Sequence, residues 1–274
     1  ARKRNLIWRI IMSVFKKCFG VLLLASIACF PWVAQAVPTP TQVDLELVLA
    51  VDVSSSVSSS EYAGQKNGYI AAFNDAAIQT AITSGKYGSI AVTYVEWSSS
   101  SRQEQLVDWT LIDSAASASA FASAINGTSR AFGGSTGVGS AIQYSAGLFS
   151  FNDPDNAKYL GDRKVIDISG DGTNNTGISP STARDNALAA GVTTINAIAI
   201  ETASLEDYFK NNVIGGPNAF ATFAADFEDD FSQAIKDKIF REITEQPVPE
   251  PATFGLLGLG LAGLAFARRR KQVA

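Results

Sequence analysis

The sequence has no histidine, and its two cysteines, Cys18 and Cys29, both lie in the first 36 residues. Those residues read as a removable leader, so the body of the chain carries neither thiol nor imidazole. That excludes disulfides, thiol catalysis, histidine-based triads and the usual His/Cys zinc sites. Methionine is almost absent: Met12 is the only one and is a candidate start, which would make residues 1–11 an over-extended reading of the gene. Basic residues are scarce in the middle. Of 22 Lys and Arg, ten lie in residues 1–36 and 268–271, leaving 12 against all 26 Asp and Glu. The middle therefore carries about −14 although the whole chain is −4. Such a body does not seek nucleic acid. It suits cation binding and an aqueous, extracytoplasmic life. Long hydrophobic runs are also missing. The apolar stretches 19–30 and 254–267 both fall short of the roughly 20 residues a bilayer span requires.

What is present starts with a hydrophobic content of 46% in 274 residues, enough for one domain of about 200 residues plus appendages. Residues 1–36 open with Arg2, Lys3, Arg4, Arg9, Lys16 and Lys17, pass through the apolar run and end in Ala34-Gln35-Ala36. That order predicts a signal peptide cut by signal peptidase after Ala36. A membrane anchor is the alternative. A lipoprotein attachment at Cys29 is disfavoured by Ser26, where a Leu-like residue is wanted. Near the other end, Pro247-Val248-Pro249-Glu250-Pro251 forms a stiff extended linker. The second apolar run follows, and then Arg268-Arg269-Arg270-Lys271, a cluster that stays on the cytoplasmic side. This tripartite tail resembles the PEP-CTERM sorting signal of Gram-negative bacteria that make exopolysaccharide. The resemblance implies transient inner-membrane anchoring, cleavage by an exosortase near Pro249-Glu250-Pro251, and delivery to the outer envelope, the extracellular matrix or the medium. A plain C-terminal anchor is the alternative.

Between the ends, residues 37–246 read as one domain. Strands are predicted over residues 43–53, 89–97, 105–111, 164–169, 193–200 and 219–224. Helices are predicted from a Ser58/Glu61 capping box to about Thr83, over 114–126, 138–149, 181–190 and 205–211, and from about Asp226. Phe227, Phe231, Ile235, Ile239 and Ile243 recur at i+4 in the last, an amphipathic stripe. Strands alternating with helices predict an α/β, doubly wound fold. Its central sheet is mostly parallel, with helices on both faces. The Ser98–Ser101 run suggests a hairpin, and hence one antiparallel edge strand.

Three stretches carry chemistry. The apolar run ending at Val51 stops at Asp52-Val53-Ser54-Ser55-Ser56, which places a carboxylate and two hydroxyls in alternation in one turn. Oxygen ligands of this kind suit a small hard cation such as Mg2+. The alternative is an aspartate capping the next helix inside a Ser-rich turn. Thr136 lies in a Gly-rich loop, Gly133-Gly134-Ser135-Thr136-Gly137, and Asp171-Gly172 follows a strand. In parallel sheets ligands bind beyond the carboxyl ends of the strands. The Asp52 and Asp171 turns both follow strands and fall on that edge, and the Gly133–Gly137 loop, which joins two helices flanking the sheet, can reach it.

Asp52-x-Ser54-x-Ser56, then Thr136, then Asp171, in that order, resembles the metal-ion-dependent adhesion site (MIDAS) of von Willebrand factor A (VWA) domains. The resemblance covers about residues 43–244. It implies a VWA, Rossmann-like fold with Mg2+ or Mn2+ as the metal. Ser54, Ser56 and Thr136 would be hydroxyl ligands, and Asp52 and Asp171 would act directly or through water. Val95-Glu96-Trp97-Ser98, Ser169-Gly170-Asp171-Gly172-x-Asn174-Asn175 and Val213-Ile214-Gly215-Gly216-Pro217 look like a bacterial secreted subfamily of unknown function. Ser55 departs from the motif, which commonly has glycine there. The expected ligand rim is Ser55, Trp97, Ser135 and Asn174; for Trp97 the alternative is simple edge packing. The expected function is metal-dependent binding, with the ion capturing an acidic group of a protein or exopolysaccharide partner, and no enzyme activity. Two alternatives remain: a matrix protein whose metal only stabilises the fold, and a metallohydrolase. An aspartyl-phosphate enzyme usually has a second acid two residues after its nucleophile, where this chain has Ser54.

Overall fold

The computed structural model describes residues 39–151, 157–227 and 229–245; the expected leader and sorting tail lie outside them. Six strands form one sheet: β1 (Thr41–Asp52), β2 (Ile90–Trp97), β3 (Gln103–Ile112), β4 (Tyr159–Gly170), β5 (Thr194–Ile200) and β6 (Ala221–Ala224). Their order is β3-β2-β1-β4-β5-β6. All neighbours are parallel except β2 and β3, so β3 is the antiparallel edge strand. Among the described residues seven helices flank the sheet: α1 (Ser59–Phe73), α2 (Ala76–Thr83), α3 (Ala115–Asn126), α4 (Val138–Gly147), α5 (Pro180–Ala190), α6 (Ala203–Asn212) and α7 (Asp229–Thr244). Among the described residues no helix is long and apolar enough to cross a membrane.

β1 lies at the centre, and its side chains divide the core. Leu45, Leu47, Leu49 and Val51 pack with α1, α2, α3 and α7 on one face. Val48 and Ala50 pack with α4, α5 and α6 on the other. This two-sided burial explains why the second half of the strand, residues 47–51, is an unbroken apolar run rather than an alternating one. The α7 stripe is fully buried at Phe231, Ile235 and Ile239. Burial of such side chains contributes about 1.5–3 kcal/mol each.

The long helix predicted from Ser58 is two helices. The Ser58/Glu61 capping box is present at its start. The chain then breaks at Asn74-Asp75, where the Asp75 carboxylate accepts the Ala77 and Ile78 amides and begins α2. A side chain that satisfies free amides at a helix start favours a new start over continuation. β4 begins five residues earlier than expected and α7 three residues later, at Asp229.

The chain leaves β1 for β2 on one side and later returns to β4 on the other. The order reverses there, and the carboxyl ends of β1 and β4 frame the crevice that such a reversal opens.

Candidate metal centre

Asp52 is the last residue of β1 and is fully buried. Its Oδ1 accepts the Ser54 amide at 2.7 Å, which folds the Asp-x-Ser turn back on itself. Its Oδ2 is buried with no hydrogen-bond partner. Burial first, and the charge of Asp171 second, push the Asp52 carboxyl up to about 8. The turn continues as a chain of hydroxyls. Ser54 Oγ is 3.0 Å from Ser56 Oγ, and the Ser56 hydroxyl donates to Asp171 Oδ1 at 2.8 Å. Asp171 is raised as well, mainly by burial. Asp171 follows Gly170, the last residue of β4. A Cβ on Gly170 would stand 3.1 Å from Asp52 Oδ2, so the glycine keeps space beside that unpartnered oxygen.

Thr136 enters from the loop before α4. It is nearly buried, and a Cβ on Gly172 would meet its Oγ1 at 3.4 Å. The Thr136 amide donates to Asn175 Oδ1, and the Asn175 amide donates back to the Thr136 carbonyl. The hydroxyl of Thr136 is thus seated beside the residue that follows Asp171. Asp52, Ser54, Ser56 and Asp171 form one hydrogen-bonded string, and Thr136 packs against its end.

Of the four expected rim residues, two are exposed and two are turned inward. Ser55 is exposed; its Oγ accepts the Gly134 amide and its own amide donates to the Gly134 carbonyl. The hydroxyl gives Ser55 a bond that glycine there would lack. Ser135 is exposed, and its amide donates to Ser99 Oγ. Trp97 is on the same edge, paired in register with Asp52, but its ring is fully buried under Gly170. It supports the crevice from below and presents no surface. Asn174 is half-buried. Its Oδ1 accepts the Gly139 amide, in the first turn of α4, a helix whose own N-cap, Gly137, supplies no side chain. Asn174 and Asn175 therefore bind the Asp171 loop to the Thr136 loop.

Several further residues, not among the expected site residues, build the site. Arg130 spans the site. Its NH2 group donates to the Val53 and Ser54 carbonyls at 2.8 and 2.7 Å, and its Nε donates to the Phe132 carbonyl. Glu96, a buried carboxylate in the apolar strand β2, accepts Tyr62 Oη and the Ala131 amide, both at 2.8 Å. Gln65 donates to the Asp52 carbonyl and lies beside Ser169. Among these, only Glu96 was detectable: a carboxylate inside an apolar strand must find partners.

Among the described residues, no group of three or more acidic side chains is gathered to hold a metal. The donor set is two carboxylates with three hydroxyls, chemistry that fits an oxygen-seeking divalent ion. The unpartnered Asp52 Oδ2 fits the same ion, because a buried carboxylate oxygen without a donor is costly.

Comparison with known proteins agrees with this architecture. Proximal thread matrix protein 1 of the mussel byssus superposes with a TM-score of 0.56 at 16% identity, over 75% of this chain and 48% of that one. The same mussel protein has been solved with a zinc-occupied MIDAS motif; that structure gives a TM-score of 0.51 at 20% identity, over 75% and 47%. The pilus adhesin SpaC of Lactobacillus rhamnosus GG gives 0.52 at 15%, over 77% and 31%. A von Willebrand factor type A protein of Catenulispora acidiphila gives 0.47 at 14%, over 74% and 43%. The chain thus spans about half the length of the mussel protein. The likenesses to the mussel protein and the pilus adhesin show the fold. No curated protein matches. The PEP-CTERM protein-sorting motif matches residues 247–271, which indicates export through the exosortase system to the envelope or beyond. The pattern described as "Protein of unknown function (DUF1194)" matches residues 42–247, and the chain belongs to that family.

Proposed function

We propose that this chain is an exported, non-enzymatic binding module that holds Mg2+ (or Mn2+) between Asp52, Ser54, Ser56, Thr136 and Asp171. The observation that carries this reading is Asp52 Oδ2, fully buried, without a hydrogen-bond partner, and close to the Asp171 turn. A divalent ion held largely by neutral hydroxyls stays electron-poor and takes an anionic oxygen from outside. The partner is then an acidic group on a protein or exopolysaccharide. Arg130, Ser55, Asn174 and Asn175 fix the three loops in place, so that binding does not have to order them. Ser55 and Ser135 lie exposed beside the ion and would face the partner.

Processing belongs to the same reading. Signal peptidase removes residues 1–36, the tail anchors the protein transiently in the inner membrane, and exosortase cleaves near Pro249-Glu250-Pro251. The functional test is capture of envelope and matrix components on immobilised protein, with Mg2+ or with EDTA. Capture that requires Mg2+ and is lost in Thr136→Ala supports the reading. Capture indifferent to both contradicts it. A matrix protein with a merely structural ion would instead melt higher with Mg2+ and capture nothing.

A further inference from the structure

The face of the sheet covered by α7 buries three charged residues among mostly apolar side chains. Asp167 on β4 and Lys238 and Glu242 on α7 are all essentially unexposed, at 0%, 1% and 3%. Lys238 Nζ lies 2.5 Å from Asp167 Oδ1 and 2.5 Å from Glu242 Oε1. The contact with Glu242 is a hydrogen bond. Asp167 Oδ2 has no hydrogen-bond partner, and among the described residues the only group against this carboxyl at ion-pair distance is the Lys238 amine. Glu242 Oε2 is unpartnered as well. Asn196 Nδ2 donates to Glu242 Oε1 and holds that carboxylate in place. The Phe220 ring lies 5.7 Å from Lys238 Nζ. One cation set between two carboxyl groups in a dry interior is an arrangement that stability alone does not favour.

We propose that Lys238 Nζ and Asp167 Cγ are joined by an intramolecular amide bond, formed by these residues themselves with Glu242 as the proton acceptor. The ammonium of Lys238 gives one proton to Glu242. The amine nitrogen then attacks Cγ of Asp167 in its carboxylic acid form. The Nζ–Cγ bond forms, the Cγ–OH bond breaks, and the hydroxyl leaves as water with a second proton from the nitrogen. The products are a secondary amide, one water and a protonated Glu242. No oxidant or cofactor is needed. Burial, and next the charge of Glu242, push the Asp167 carboxyl up to about 7, so the acid form is available at neutral pH. Holding amine and carboxyl in contact replaces a bimolecular step by an intramolecular one. Burial favours neutral groups over charged ones, and the product cluster has no charge left. The bond would tie β4 to α7 across 71 residues of chain.

Peptide mass spectrometry decides this. The purified full chain is held at neutral pH overnight, denatured and digested with trypsin. The expected product is residues 165–184 joined to residues 237–241, uncut after Lys238 and lighter than the two peptides together by one water, about 18 Da. Glu242→Gln should release the two segments as separate peptides while wild type keeps them joined. Recovery of unlinked peptides from the wild-type chain overturns the proposal, whatever the variant does. A link from Lys238 to the peptide containing Asn196, with loss of ammonia, overturns the assignment to Asp167.

Discussion

Asp52 has one carboxylate oxygen satisfied by the Ser54 amide and the other buried without a donor. Its folded form therefore prefers the proton, with the carboxyl at about 8 against an ordinary 3.8. For such a group the native state binds more protons than the unfolded state between those values, so stability falls as pH rises through that window. One extra proton corresponds to a slope of at most about 1.4 kcal/mol per pH unit. Asp52→Asn cannot ionise, so without metal it should outlast wild type in urea by a margin that grows from pH 4.5 to pH 8. A margin that shrinks with pH would contradict the burial argument. The proposed site binds Mg2+ only in the ionised form, so it predicts a Mg2+-induced rise in Tm of wild type that is larger at pH 8.5 than at pH 6. Gly170→Ala puts a methyl 3.1 Å from Asp52 Oδ2 and should weaken Mg2+ binding, measured by calorimetry, by roughly tenfold or more. The turn Asp52-x-Ser54-x-Ser56 was legible because its residue types and spacing are local. Arg130 was not: its acceptors are all backbone carbonyls, two of them 77 and 76 residues away, and a carbonyl leaves no mark in the residue types.

The elements bring the three loops together and hold them. Arg130 ties the Asp52 turn to the Gly-rich loop, Asn175 ties that loop to the Asp171 turn, and Asn174 supplies the cap that α4 lacks. Arg130→Ala leaves three carbonyls without this donor and should destabilise the domain by about 1–3 kcal/mol in urea while weakening Mg2+ binding. If metal affinity is unchanged, the bridge is structural only. On the opposite face of the sheet α1 meets α7 through small residues. A Cβ on Gly64 would stand 2.2 Å from the Phe227 carbonyl, and one on Gly68 would stand 2.7 Å from the Phe231 ring. Gly64→Ala should therefore cost about 1–3 kcal/mol in spite of alanine's better helix propensity. An unchanged or higher Tm would show that α7 shifts freely. Helix and strand types were read correctly from periodicity. The break at Asn74-Asp75 was missed because the apolar pattern continues across it and the cap alone interrupts it. Trp97 was placed on the right edge by the parallel register, but periodicity could not show that Gly170 would close over its ring.

For the whole molecule, topology sets the location of the site and charge distribution sets its surroundings. The order reversal at β1 puts the ends of β1 and β4 side by side, and a body with 26 acidic residues and few basic ones draws cations toward them. The parallel sheet with one antiparallel edge was legible from the alternation of strands and helices and from one short hairpin. The partner's identity was not, because the exposed residues at the crevice are serines that suit many ligands. The central claim is that five oxygens at this edge form a cation site. It is tested most directly by thermal unfolding of wild type and Asp52→Ala, each with millimolar Mg2+ and with EDTA. The account predicts that Mg2+ raises the Tm of wild type by mass action and leaves the variant's unchanged, with the variant in EDTA melting at or slightly above wild type. Equal Mg2+-induced shifts in the two proteins would contradict it.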